Sequence, residues 1–88
     1  MYHGSSWSNL EQVLEDGLIP MSRQMVHLTN VEQEALVVGQ RKGPAIVFCL
    51  DDTVDAEPVA EGIWVARRVG VNHLTIQNPF RFESGVSA

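Results

Sequence analysis

Ala45-Ile46-Val47-Phe48-Cys49-Leu50 is an unbroken apolar run of strand length, set between the breaker Gly43-Pro44 and the acidic pair Asp51-Asp52. Such a run suits a strand covered on both faces, so it is expected to form the centre of the core. Upstream, Val26-His27-Leu28 is a second short apolar piece. Thr29 with Glu32 then has capping-box spacing for a helix that ends near Gly39. The same order occurs earlier, where Met1-Tyr2-His3 reads as a strand closing at Gly4. Ser8 with Glu11 opens a helix there, with Leu10, Val13 and Leu14 as its buried face and Gly17 as a left-handed stop. Pro20 keeps Leu18-Ile19 extended. Downstream, Gly62 to Ala66 and His73 to Ile76 read as strands, and Phe80-Arg81-Phe82 as an edge strand. The fold class is α+β with both helices in the N-terminal half.

Composition bounds the function classes. An 88-residue chain supports one domain, expected over residues 1–83 with a frayed polar tail at 84–88. A single Cys49 inside an apolar run excludes an internal disulfide, and it fits a reducing, cytoplasmic setting. No stretch approaches the roughly 20 apolar residues that span a bilayer. His3, His27 and His73 fall on separate expected strands, without zinc-site spacing, so no metal is expected. A net charge of -5 disfavours broad binding to phosphate backbones or anionic membranes. The acids gather at Asp51, Asp52, Asp55, Glu57 and Glu61, read as an acidic loop. Arg41-Lys42 and Arg67-Arg68 flank this loop and could converge on one anion. P-loop and nucleophile-elbow patterns are absent from the sequence.

Polar residues instead mark the ends of successive strands: Tyr2-His3-Gly4-Ser5, His27-Leu28-Thr29, and Gly39-Gln40-Arg41-Lys42-Gly43. In order, Tyr2-His3-Gly4-Ser5, Gly17-Leu18-Ile19-Pro20-Met21-Ser22-Arg23-Gln24, Val26-His27-Leu28-Thr29 and Val38-Gly39-Gln40-Arg41-Lys42 resemble the motifs of the RNA 2'-phosphotransferase family. A buried strand followed by Asp51 continues the likeness, and Gly62-Ile63-Trp64-Val65-Ala66 is similar to a further family segment, with Ala66 in place of a threonine. The family's enzymes belong to the ADP-ribosyltransferase superfamily and use NAD to remove a splice-junction 2'-phosphate from tRNA.

The resemblance implies a minimal ADP-ribosyltransferase-like split β core, corresponding to the family's C-terminal, NAD-binding lobe and lacking its RNA-binding N-terminal lobe. It implies NAD as co-substrate, bound by Tyr2, His3, Gly4, Ser5, His27, Leu28, Thr29 and Arg41. Within that set, His3, Gly4 and Ser5 would meet the adenosine and ribose side, and His27 the nicotinamide ribose. Thr29 would cap the second helix. Arg41 and His27 are the implied catalytic residues, since a guanidinium can clamp a phosphate and stabilise developing charge. Lys42 keeps charge where the family often has a second arginine. The activity implied is ADP-ribosyl transfer to a phosphorylated RNA, with a protein side chain as second acceptor. The alternative is a non-catalytic module that binds NAD or another ADP-ribose-containing nucleotide, or that inhibits a protein partner through the acidic loop. A small core also admits a homodimer. Read singly, His27 suits a hydrogen-bonded core imidazole and Arg41 a helix C-terminal charge. Trp7, Trp64 and Tyr2 suit core packing as well as stacking.

Overall fold

Two strand–helix pairs and then four strands follow along the chain in a computed structural model that describes residues 1–20 and 24–77, Lys42 by its backbone alone. The order is β1 (Tyr2–Ser6), α1 (Leu10–Asp16), β2 (Val26–Thr29), α2 (Glu32–Gly39), β3 (Ala45–Leu50), β4 (Glu57–Ala60), β5 (Ile63–Ala66) and β6 (Leu74–Ile76). Short 3₁₀ turns lead into α1 at Trp7–Asn9, follow α2 at Gln40–Lys42 and precede β6 at Val71–His73. The class is mixed α+β, as the patterning predicts. The expected edge strand at Phe80-Arg81-Phe82, the tail at 84–88, and Met21, Ser22 and Arg23 lie outside the described residues.

The sheet runs β4-β5-β2-β1-β3-β6, and every pairing is antiparallel. Its two halves are unequally joined. Within them the ladders are long: Tyr2 to Ser6 face Cys49 to Ala45, and Val26 to Thr29 face Ala66 to Ile63. Between β1 and β2 one register pair remains, Tyr2↔Thr29, so the two strands diverge from that point and split the sheet.

The apolar run of β3 forms the core as its composition requires. Ile46 and Phe48 are at most 1% exposed and pack with Leu28, Val13, Leu18, Val26 and Val69. Each such side chain contributes about 1.5–3 kcal/mol on burial. The opposite face of β1 and β3 is closed by α2, at backbone contact distance. A Cβ on Gly4 would run into the Ala35 carbonyl, and one on Gly39 would come within 2.8 Å of the Ser5 carbonyl oxygen. Two residues without side chains thus let a helix lie directly on a strand.

Several local expectations are corrected. Ser8 does not cap α1; Ser6 caps the preceding turn, its Oγ accepting the Ser8 amide at 3.3 Å, and the α-helix starts later. Leu14 is 56% exposed, while Val13 is buried and Leu10 packs at the core edge. β1 continues past Gly4 to Ser6, held by its ladder to β3. The acidic loop contains β4, an exposed edge strand paired with β5 that is bulged between Pro58 and Ala60. Arg68 does not join Arg41; its guanidinium donates to the carbonyl of Asp16 at the end of α1, 3.4 Å away. Among the described residues, no helix is long and apolar enough to cross a membrane.

Candidate functional site

The split between β1 and β2 opens into a cavity of about 440 Å³. This lies within the roughly 300–1,000 Å³ typical of small-molecule sites. Its walls come from β1, β2, α2 and the turn that carries Arg41, and the residues singled out by the sequence converge on it: Tyr2, His3, Gly4, Ser5, His27, Thr29 and Arg41 all border it. Leu28 also borders it, yet that side chain is 1% exposed and belongs to the core. Gly4 has a double duty, since the space a side chain would need is taken by α2. Trp7 and Trp64 pack against the core, and only Tyr2 of the three expected aromatics borders the cavity.

Hydrogen bonds fix the polar wall. His3 Nδ1–H donates to the backbone carbonyl of His27 at 2.8 Å, tying the two strands together beyond their last ladder pair. Burial pushes the His3 pKa below its ordinary 6.5, outweighing the opposing effect of the His27 carbonyl bond, so the ring is neutral at pH 7. With Nδ1 protonated, Nε2 is an acceptor. The His27 side chain is exposed and borders the cavity. Arg41 is likewise exposed, and it is the one Lys or Arg among the described residues lining the cavity.

Thr29 acts at the entrance to α2, in a form different from the expected capping box. Its Oγ1 accepts the Val31 amide at 3.1 Å and donates to Glu34 Oε2 at 3.0 Å, so the reciprocal carboxylate at Thr29 is Glu34 where Glu32 was expected. α2 starts at Glu32 with Val31 in extended backbone as its N-cap, so Glu32 and Glu34 both fall in the first turn, and Glu34 is the one that reaches Thr29.

Three polar wall residues, Ser6, Asn9 and Glu34, went unread in the sequence. Asn9 donates from Nδ2 to Ser5 Oγ at 3.1 Å, and Glu34 reaches Thr29; both border the cavity. Glu34 and Val38, at i and i+4, share one face of α2, and Arg41 follows in the 3₁₀ turn after it. Apolar Ile19, Pro20, Met25 and Val38 are also part of the lining. No cluster of three or more His, Cys, Asp or Glu suited to a metal occurs among the described residues.

Fold and site together define a small α+β domain whose divided antiparallel sheet holds a ligand-sized cleft with, among the described residues, one Lys or Arg side chain and several fixed acceptors. The sequence model of the RNA 2'-phosphotransferase, Tpt1 / KptA family matches residues 1–67, and the chain belongs to that family. Similar proteins include the "Probable RNA 2'-phosphotransferase" of Herpetosiphon aurantiacus, 34% identical over 83 residues, covering 88% of this chain and 46% of that protein. The protein of the same description from Agrobacterium fabrum is 34% identical over 82 residues, covering 86% and 44%. "Probable RNA 2'-phosphotransferase 2" of Archaeoglobus fulgidus is 46% identical over 69 residues, covering 77% and 31%. The chain thus spans less than half the length of these relatives.

Proposed function

We propose that the β1–β2 cleft binds NAD and that the protein transfers ADP-ribose from it to a phosphorylated RNA, an internal 2'-phosphate being the first acceptor to test and a protein side chain the second. One observation carries the reading. Three segments far apart in sequence, Tyr2–Ser5, His27–Thr29 and Arg41, border a single cavity, in a chain of the RNA 2'-phosphotransferase family.

The residues fit a dinucleotide. Apolar Ile19, Pro20, Met25 and Val38 offer a surface for a ring, fixed acceptors suit ribose hydroxyls, and Arg41 suits a phosphate. NAD supplies the reactive bond, the N-glycosidic link from ribose to nicotinamide. Arg41 would hold phosphate oxygens by its planar fork and offset the charge gathered where donor and acceptor meet. His27, exposed at the cleft, would orient the ribose beside the bond that breaks. His3, neutral and locked in one tautomer, would accept from a ribose hydroxyl without bringing a positive charge to compete with Arg41 for phosphate.

The test is mass spectrometry of the protein incubated with NAD, with and without an RNA oligonucleotide bearing an internal 2'-phosphate. Release of nicotinamide that requires the RNA, and that is lost in Arg41→Ala with the circular dichroism spectrum intact, is the expected result. Intact NAD in every condition, with saturable NAD binding, would leave the non-catalytic nucleotide-binding module as the reading. No binding at all would remove both.

A further inference from the structure

The Thr29 hydroxyl has one proton, and it is donated to Glu34 Oε2 at 3.0 Å, while the oxygen accepts the Val31 amide. Thr29 therefore has no donor to offer a ligand, and the carboxylate of Glu34 beside it accepts. His3 adds a further acceptor in Nε2, because its Nδ1–H is held by the His27 carbonyl and burial keeps the ring neutral. The other end of the cleft has the opposite character. Glu34 and Val38 border the cavity from α2 and Arg41 from the 3₁₀ turn that follows it, so the acid stands at the start of the helix and the cation beyond its end. Glu34 and Arg41 are seven positions apart along α2 and the turn after it, on the order of 10 Å by helical rise.

A ligand suited to both ends carries an anionic group for Arg41 and, toward Glu34, hydroxyl donors without negative charge. We propose that Glu34 is a specificity-determining residue that admits an unmodified ribose 2',3'-diol and rejects a ribose bearing a 2'-phosphate. The inference rests on the dinucleotide reading above and adds to it a choice: NAD over its 2'-phosphorylated form, NADP. A diol supplies two O–H donors to a wall of acceptors. A phosphate monoester supplies about 1.5 to 2 negative charges against a carboxylate whose nearest hydroxyl proton is already used. A purely structural Glu34, placed in the first turn of α2 to complement the positive helix end, would leave ligand choice unmoved.

The experiment is calorimetric titration of the full chain with NAD and, separately, with NADP, for wild type, Glu34→Gln and Glu34→Lys, each checked for native circular dichroism. Wild type is expected to prefer NAD by about tenfold or more, the scale of one charge-assisted hydrogen bond. Glu34→Gln narrows that preference and Glu34→Lys reverses it. Equal wild-type affinity for the two, or a preference unchanged in every folded variant, overturns the proposal. Should wild type bind neither dinucleotide, the nucleotide reading itself falls, a result distinct from binding both equally. If one variant fails to fold, the other variant and the wild-type ratio decide.

Discussion

His3 and His73 each stand beside groups that could serve chemistry, and they differ in everything except residue type. His3 is enclosed by the diverging strands, donates to a backbone carbonyl 24 positions away and is held neutral by burial. His73 sits on a turn at the surface, with Nδ1 3.1 Å from Asp51 Oδ1 and 3.1 Å from Thr53 Oγ1. There Asp51, an exposed carboxylate, is held below its ordinary 3.8 chiefly by the Thr53 hydroxyl, which donates to it at 2.6 Å, with help from the Thr53 amide and His73. A histidine, a carboxylate and a threonine hydroxyl form the more familiar-looking constellation, yet His73 and its partners border no part of the β1–β2 cavity. Enclosure distinguishes the two: His3 borders a volume that can exclude water around a ligand, whereas the His73 group closes a turn.

The contrast can be broken by substitution. Gly4→Ala should have the largest effect, because its new Cβ would collide with the Ala35 carbonyl and lift α2 from the cleft wall. A loss of about 3 kcal/mol or outright failure to fold is expected in urea unfolding, at the upper end for overpacking. A near-neutral result would show that α2 rests on β1 less tightly than described. Next comes Thr29→Val, which leaves the Val31 amide and Glu34 without their partner in a part-buried setting and should cost about 1–2 kcal/mol. The matching Thr53→Val at the exposed turn should stay within about 0.5 kcal/mol. Equal losses for the two threonines would erase the distinction between the clusters.

pH dependence sharpens the comparison further. His3 binds its proton more weakly folded than unfolded, so the unfolded chain takes up protons first as pH falls. Stability is therefore full above 6.5 and lost as pH drops below it toward the lowered folded value, and His3→Gln should remove that loss. Asp51 is also lowered, so its contribution is full above 3.8 and disappears as pH falls through and below that value. Asp51→Asn should produce the smallest effect of the series, confined to that acid limb of a thermal-melt pH profile. A His3 dependence no larger than that of Asp51 would argue against an enclosed ring.

Much of this was legible in the residues. The apolar run at 45–50 announced β3, and Gly17 announced the end of α1, where φ reaches +76°. Ordered motifs named eight residues that do border the cleft, Leu28 among them with its side chain in the core. What escaped was of two kinds. β4 escaped because Glu57-Pro58-Val59-Ala60 is exposed throughout and pairs on one side only, so neither apolar patterning nor propensity marks it. Glu34 and Asn9 escaped because acids and amides near helix starts are ordinary there, and nothing local distinguishes one that lines a cavity.

By itself the sequence determined the fold class, the order of most elements and the family, because patterning, breakers and short motifs act over a few neighbouring residues. Only the tertiary structure decided that β1 and β2 part after one ladder pair, that Gly4 serves α2, and that Thr29 answers to Glu34. Those facts depend on which distant backbones come within a few ångströms of each other, and that is set by the packing of the whole sheet.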